Sequence, residues 1–409
     1  MKSKAALLGA LSITVGLSYN SLSLAQTYAG NTGNNFNPSI SLTLDGRFTS
    51  YSNSSEYELP GFMLGGEADR SSEGFQLGHN ELSISSAIDD MFFGKFSAAI
   101  ADHEGETEIE LEEAFIETQG LGHGFTFKAG RFFSDIGYLN KQHTHSWDFS
   151  DAPLIYRALF ANQLIDDGLQ VSWLAPSDIY FLLGAELTRG ERFPAGGGAN
   201  EGKGAYTLFA KLGGDVGTSH AWQLGISHWS AEVIERTSAA HAHSPTATEI
   251  PSFSGDSQVS GIDFVWKWAP NGNYTERNLK IQAEYFVRDE DGFVELQGSS
   301  PLETSTYNGE QSGWYLQSVY QFIPRWRLGY RFDQLKANNT GSDASVLAEV
   351  GLDDAGHTPE RSTVMLDYSY SEYSRLRLQY ARDDSYEDSD NVIFLQFIVT
   401  LGAHGAHQF

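Results

Sequence analysis

The sequence predicts an all-β fold, a transmembrane antiparallel β-barrel of about 16 strands with an inward-folded loop after strand five. Three observations lead there. Apolar and polar residues alternate with period two in segments of about ten residues, the length with which a tilted strand crosses a bilayer. The connections between these segments alternate between short and long. The last segment keeps Ile393, Leu395, Phe397, Val399 and Leu401 on one face and Gln396, Thr400, His404 and Gln408 on the other, up to Phe409. A terminal aromatic behind an alternating strand has the form of the signal read by outer-membrane barrel-assembly machinery.

Composition agrees. The chain holds 42 Gly, 19 Tyr, 26 Phe and 8 Trp, yet its mean hydropathy is negative. Strands with one lipid face and one wet face give this mixture, because only half of their residues need be apolar and aromatics favour the lipid boundary. No segment beyond residue 25 approaches 18 apolar residues, which excludes a helical membrane protein. With 0 Cys, neither disulfides nor thiolate metal sites contribute. Barrel closure is then the expected source of stability.

At the amino terminus, Met1-Lys2-Ser3-Lys4, an apolar run from Ala5 to about Leu17, and Ser23-Leu24-Ala25 before Gln26 form the three regions of a signal peptide. Residues 1–25 are therefore expected to be a signal peptide and 26–409 the outer-membrane barrel of a Gram-negative cell.

Strands are expected near 40–51, 74–87, 91–102, 107–118, 124–134, 166–174, 178–189 and 205–213, then 219–232, 258–269, 278–289, 311–322, 325–336, 361–370, 374–383 and 391–409. Short turns such as Ile88-Asp89-Asp90, Ala175-Pro176-Ser177 and Ser371 to Tyr373 face the periplasm, and the long connections face outward. Leu111-Glu112-Glu113-Ala114-Phe115 conflicts with strict alternation, since neither register keeps both glutamates inside. A bulge or a position near the rim is expected there. Trp173, Tyr180, Trp222, Trp229, Trp266 and Trp314 are candidates for the interfacial aromatic girdles.

Charge bears on function. Asp and Glu outnumber Lys and Arg 53 to 26, and removing Lys2 and Lys4 with the signal leaves a formal charge of −29. Such a chain repels nucleic acid and attracts cations at long range. Glu106, Glu108, Glu110 and Glu112 recur at every second residue, so they share one face of a strand, opposite Ile109 and Leu111. A lumenal comb of carboxylates would focus cations; the alternative role is to solvate the rim.

The most distinctive connection follows strand five. It runs from Gly130-Arg131-Phe132-Phe133 through Gly137-Tyr138-Leu139-Asn140-Lys141 and His143-Thr144-His145-Ser146-Trp147-Asp148-Phe149 to Asp151-Ala152-Pro153. Arg131, Lys141 and Arg157 are candidate constriction residues, with loop anchoring as the alternative role for the arginines. His143, His145, Asp148 and Asp151 offer nitrogen and carboxylate ligands suited to a divalent metal such as zinc. His241 and His243 are weaker candidates in a Ser- and Thr-rich loop, and His404 and His407 belong to the barrel end.

Glu113-Ala114-Phe115-Ile116, the GRFF and GYLNKQHTHSWDF segments, Asp166-Asp167-Gly168-Leu169-Gln170 and the terminal Leu401–Phe409 segment resemble a branch of the phosphate-selective porin superfamily. The resemblance spans most of the mature chain. It implies a passive, homotrimeric barrel among outer-membrane lipid and lipopolysaccharide, with basic residues selecting anions in the pore. The chain departs from that pattern: Lys95, Lys128, Arg131, Lys141 and Arg157 are scattered and form no continuous basic run.

The expected function is passive diffusion of small hydrophilic solutes with a cation or divalent-metal preference and no required cofactor. The alternatives are an anion- or phosphate-selective porin, or a plugged structural or adhesion barrel. No P-loop, dinucleotide fingerprint, nucleophile elbow or HExxH motif is present, so no enzyme is expected.

Overall fold

The computed structural model describes residues 38–53, 59–68, 70–103, 106–196, 204–238, 241–244, 247–386 and 388–403. The expected signal peptide and the terminal Phe409, with His404 and His407, lie outside these residues, as do the side chains of Glu106, His241 and His243.

Sixteen strands close into one antiparallel barrel. They are β1 (Ser39–Tyr51), β2 (Gly74–Leu77 and Asn80–Ala87, interrupted at Gly78 and His79), β3 (Phe92–His103), β4 (Glu106–Thr118), β5 (Phe125–Phe133) and β6 (Ile165–Leu174). Next come β7 (Tyr180–Thr188), β8 (Ala205–Val216), β9 (His220–Thr237), β10 (Ala247–Trp268) and β11 (Asn278–Gln297). The circle is completed by β12 (Glu303–Ile323), β13 (Trp326–Gly341), β14 (Glu360–Ser371), β15 (Ser374–Asp384) and β16 (Asp390–Gly402). A four-residue strand, His241–Ser244, pairs with the far end of β10. Closure comes from β1 on β16, in register from Ser41 opposite Gly402 to Tyr51 opposite Val392. Among the described residues no barrel strand is left with an unpaired edge to template aggregation.

Period two decides what each strand shows to lipid. On β16, Ile393, Leu395 and Phe397 are exposed outward, while Val392, Phe394 and Gln396 are buried inside. Four of the six girdle candidates, Trp173, Trp222, Trp266 and Trp314, fall on the outward parity. Tyr180 does not, since it shares the parity of the buried Glu186 and Thr188 and pairs with Gly213 at the end of its strand. Nor does Trp229: it shares the inward face of β9 with Gln223 and Ser227 and is 1% exposed, because it packs against the loop inside the barrel.

Strands β9 to β13 run further outward than the sequence reading placed them. β10 begins at Ala247 instead of near 258, and β12 at Glu303 instead of near 311. The reason lies in an inversion of the pattern. Within the membrane β11 faces lipid with Ile281, Ala283 and Tyr285 and the lumen with Gln282 and Glu284, whereas beyond it Asp289, Asp291 and Glu295 face out and Val294 and Leu296 face in. A search for apolar outward faces stops where the outside becomes water.

That inward apolar surface is covered from within. Leu59, Phe62 and Met63 of the loop after β1, the helix α1 (Leu154–Phe160) of the loop after β5, and Val346 and Leu347 of α2 (Ala344–Glu349) join Trp229, Phe253, Phe286, Tyr307 and Tyr315 of the wall in one hydrophobic core. All seven residues of α1 are buried, and Tyr156 and Phe160 meet Phe286 edge-on at 5.5 and 5.3 Å between ring centres. A seven-residue helix is not stable in water alone; this packing holds it.

The conflict at Glu112 and Glu113 is resolved by a bulge. Ser97 pairs with Glu113 and Ala98 with Leu111, so Glu112 is the extra residue and both carboxylates turn inward.

Candidate functional site: a loop between two charged walls

The loop from Ser134 to Leu164 enters the lumen and is hung from two buried glutamates. Glu186 accepts hydrogen bonds from the Ser134 hydroxyl and, at 2.9 Å, from the Asp135 amide. Glu284 accepts the Tyr138 and Leu139 amides at 2.9 and 3.0 Å and the phenols of Tyr156 and Tyr315. Gly137, at φ +62°, permits the approach, because a Cβ there would collide with the Glu284 carboxylate.

Beyond this anchor, the segment His143–Asp151 lies between two walls of opposite character. The first is basic. Asp148 takes Lys280 at 3.1 Å and Arg327 at 2.8 Å; Asp151 takes Arg331 at 3.1 Å and Arg361 at 2.7 Å. Arg327 also forks onto Asp367, and Arg331 pairs with Asp333 at 2.9 Å. Arg377 donates to the Trp147 carbonyl at 2.7 Å and lies 3.8 Å from Asp367, while Arg375 donates to the carbonyls of His145 and Trp147. Burial would raise both aspartates, but Lys280 and Arg327 hold the Asp148 carboxyl well below the usual carboxylate range, and Arg361 and Arg331 do the same for Asp151.

The scattered basic residues of the sequence therefore hid a continuous tier. Arg327, Arg331, Arg361, Arg375 and Arg377 stand on the inward faces of three consecutive strands, β13, β14 and β15, with Lys280 on β11. The signal that would have found them is the same-face spacing of Arg327 with Arg331 and of Arg375 with Arg377.

The second wall carries acids and histidines. His79 Nε2 is 2.9 Å from Glu112 Oε1. His143 Nδ1 is 3.0 Å from Glu81 Oε2 and 3.8 Å from Glu112 Oε2, and His145 Nδ1 is 3.0 Å from the same Glu81 oxygen. The other nitrogen of His143 faces Glu113 at 2.9 Å and Lys95 at 2.8 Å. Burial lowers His143, and Lys95 adds to this, but Glu81, Glu113 and Glu112 outweigh both and raise it well above an ordinary histidine. His145 is lowered, chiefly by burial, against the pull of Glu81.

The other expected site residues divide. His143 and His145 come together, but Asp148 and Asp151 do not join them, since their carboxylates are committed to the basic wall. Of the described side chains of the carboxylate comb, Glu108 is exposed, Glu110 pairs with Arg192 at 2.7 Å, and Glu112 reaches the loop. Arg131 does not face the constriction. It shares the outward parity of Phe125 and Phe127 and forks onto Asp167 of β6 at 2.7 and 2.9 Å. Lys141 pairs with Asp135 at 3.3 Å, beside Lys211. Arg157 is buried in α1 and donates to the Ala68 carbonyl at 2.7 Å, tying the two inserted loops together.

No family model matches the chain. An uncharacterised protein of Aquifex aeolicus is 32% identical over 408 residues, covering 91% of this chain and 80% of that one. Among solved structures, an in-vitro-folded trimer form of OmpT, an outer membrane protein of Vibrio cholerae, superposes with a TM-score of 0.53 at 9% identity, over 89% of this chain and 99% of that one. An anion-selective porin from Comamonas acidovorans gives 0.53 at 10% identity, over 89% and 99%. The outer membrane channel DcaP of Acinetobacter baumannii gives 0.52 at 12%, over 89% and 97%. At these identities the likeness is one of fold: a porin-like outer-membrane barrel.

Proposed function

The chain belongs to the same family as the uncharacterised Aquifex aeolicus protein, and from its porin-like barrel we propose that it is a narrow outer-membrane channel for small anions. The observation that carries this reading is the charge balance where the loop meets the basic wall. Lys280, Arg327, Arg375 and Arg377 surround only Asp148 and Asp367. Two positive charges in excess, in a lumen of low effective dielectric, attract anions far more strongly than they would in water. Guanidinium forks suit oxyanions such as phosphate, which they bind in bidentate fashion. Lys280, Arg327 and Arg375 keep partial exposure at the ends of strands that meet short periplasmic turns, so an anion can reach them from that side.

The cation preference expected from the carboxylate comb gives way, because Glu110 and Glu112 are engaged by Arg192 and the histidines. Diffusion through such a channel requires no cofactor and no catalytic residue. We assign it a homotrimeric assembly in outer-membrane lipid and lipopolysaccharide, in keeping with the trimer form of the Vibrio cholerae protein.

A second reading, a plugged structural or adhesion barrel, is favoured by the burial of the lumenal face. Gln282, Phe286, Arg331, Asp333, Arg361 and Gln379 are each at most 2% exposed, and the cavity lined by Phe160, Arg192 and Phe193 beside the inserted loop holds about 230 Å³.

Single-channel current across a planar bilayer under a tenfold KCl gradient separates these readings. An anion-directed reversal potential that moves toward zero in Arg375→Glu supports the anion channel. A cation-directed potential overturns it, and silence from protein whose barrel is folded transfers the assignment to the plugged barrel.

A further inference from the structure

We infer that the acid-histidine wall is a divalent transition-metal site, of the class that zinc fills, which pins the inserted loop to the barrel. The ligands are His79 through Nε2, His143 and His145 through Nδ1, and the carboxylates of Glu81 and Glu112. They come from three separate parts of the chain: the break in β2 supplies His79 and Glu81, the bulge in β4 supplies Glu112, and the loop supplies the other two histidines.

Convergence of donor atoms is the first support. Ligand atoms of His79, Glu81 and Glu112 lie within 4.8 Å of one another, and both loop histidines place Nδ1 at 3.0 Å from Glu81 Oε2. Ligands held about 2.0–2.2 Å from a zinc ion sit roughly 3–3.5 Å from each other; the closest spacings here, 2.9 and 3.0 Å, are near that range, and the others, 3.8 Å and up to 4.8 Å, reach it with small side-chain movements. A set of three imidazoles and two carboxylates without sulfur suits zinc, cobalt, nickel or copper better than calcium or magnesium.

The second support is independent. His79 Nε2, Glu81 Oε2, Glu112 Oε2, His143 Nδ1 and His145 Nδ1 are all buried atoms that make no hydrogen bond of acceptable geometry despite their proximity. Five orphaned polar atoms gathered around Glu81 and Glu112 are costly in a protein interior unless something binds them. Ordinary ion pairing would have turned N–H groups toward the oxygens; nitrogens and oxygens left close together without such bonds fit a cation between them.

Orientation gives the third. The far nitrogen of His143 faces Glu113 at 2.9 Å, and Glu113 is itself held by Lys95 and by the Ser97 hydroxyl at 3.3 Å. A carboxylate behind a ligating imidazole fixes the tautomer and strengthens the donor, which is the usual support for a metal-bound histidine. The bulge that turns both Glu112 and Glu113 inward thus supplies one ligand and one supporting group from adjacent residues.

The site also reaches the constriction. The carbonyls of His145 and Trp147 receive Arg375 and Arg377, so an ion that fixes His143 and His145 also fixes the acceptors that orient those two guanidiniums.

The test uses the full chain refolded in detergent, stripped with EDTA and dialysed. ZnCl2 is added in a calorimeter, and CoCl2 in a spectrophotometer, where ligand-field bands report coordination. One equivalent of zinc per chain is expected, with cobalt bands of a four- or five-coordinate, imidazole-bound ion. His79→Ala and Glu81→Gln should each weaken binding about a hundredfold, Glu113→Gln about tenfold, and His220→Ala, on the outer face against Trp266, should leave it unchanged. No binding by stripped protein that retains the heat-modifiable gel mobility of a folded barrel overturns the site. So does affinity that survives both His79→Ala and Glu81→Gln. If neither variant folds, the cobalt spectrum of the natural chain decides: a hexa-aqua-like octahedral spectrum overturns the inference. None of these readouts depends on conductance, so the site and the anion channel stand or fall separately.

Discussion

The two walls that grip the loop are built on opposite principles. On the basic side, Asp148 accepts from Lys280 and Arg327, and Asp151 accepts from Arg331 and Gln379, in hydrogen-bond geometry, while Asp151 Oδ2 faces Arg361 at 2.7 Å as an ion pair outside that geometry. On the acid-histidine side, the nitrogens of His79, His143 and His145 that face Glu81 and Glu112 lie 2.9 to 3.8 Å from their oxygens but form no proper hydrogen bonds to them. One wall is finished when the chain folds; the other is finished only by an added ion. The loop sequence anticipates this division, with its imidazoles at His143 and His145 and its carboxylates at Asp148 and Asp151, so that a stretch of nine residues is held by two unrelated chemistries.

The sharpest way to break this contrast is to remove one partner from each side. Asp151→Leu leaves Arg331 and Arg361 buried without the carboxylate they share, and should cost about 3–5 kcal/mol in denaturant unfolding followed by tryptophan fluorescence, with or without EDTA. His145→Ala should cost little in EDTA. In zinc at a hundredfold excess over its dissociation constant, it should forfeit the metal-dependent part of stability, about 2.7 kcal/mol. Equal losses for His145→Ala in EDTA and in zinc would falsify the division into a finished and an unfinished wall.

How much of this the sequence showed follows from what kinds of pattern are local. Each membrane strand carries its own alternation, so the barrel, its closure and its loop polarity were legible, and the double glutamate at Glu112 and Glu113 announced the bulge because it broke the rule. His143 and His145 were legible because they sit two residues apart in a distinctive loop. Their partners His79 and Glu81 were not, since nothing in Gly78-His79-Asn80-Glu81 differs from an ordinary polar strand face until closure brings it against residue 143. The basic tier was hidden for the same reason: Arg327, Arg361 and Arg377 become neighbours only across strands. Asp148 and Asp151 were assigned to the histidines by nearness in sequence, but their carboxylates reach the opposite wall.

Selectivity gives the next effect in size. Arg375→Glu changes four cations around two carboxylates into three around three, so the anion-directed reversal potential should fall close to zero under the same salt gradient. A full reversal to cation selectivity would mean that the acidic exterior loops govern the pore more than the basic wall does. Acid should change far less. Because the Asp148 and Asp151 carboxyls are depressed by their cations, their contribution to stability is complete above the unfolded aspartate value of about 3.9 and is lost only as pH falls through the lower folded values. Unfolding midpoints measured in EDTA at pH 8 and pH 5 should therefore show no loss attributable to the basic wall, and a drop in the natural chain that disappears in Asp151→Leu would contradict its completeness.

The smallest effect belongs to Glu110, the member of the carboxylate comb that pairs with Arg192. Both side chains are about a third exposed, at 37% and 29%, where water and salt screen an ion pair to a worth of about 0–1 kcal/mol. Glu110→Gln should accordingly leave stability within that range and the reversal potential nearly unmoved, because the Arg192 charge it leaves unpaired is partly exposed and screened by water and salt. The prediction is small but discriminating. If Glu110→Gln shifts the reversal potential toward anions by as much as Arg375→Glu shifts it away, then the comb lines the permeation path in its own right, and the basic wall is a fastening for the loop instead of the surface that selects the solute.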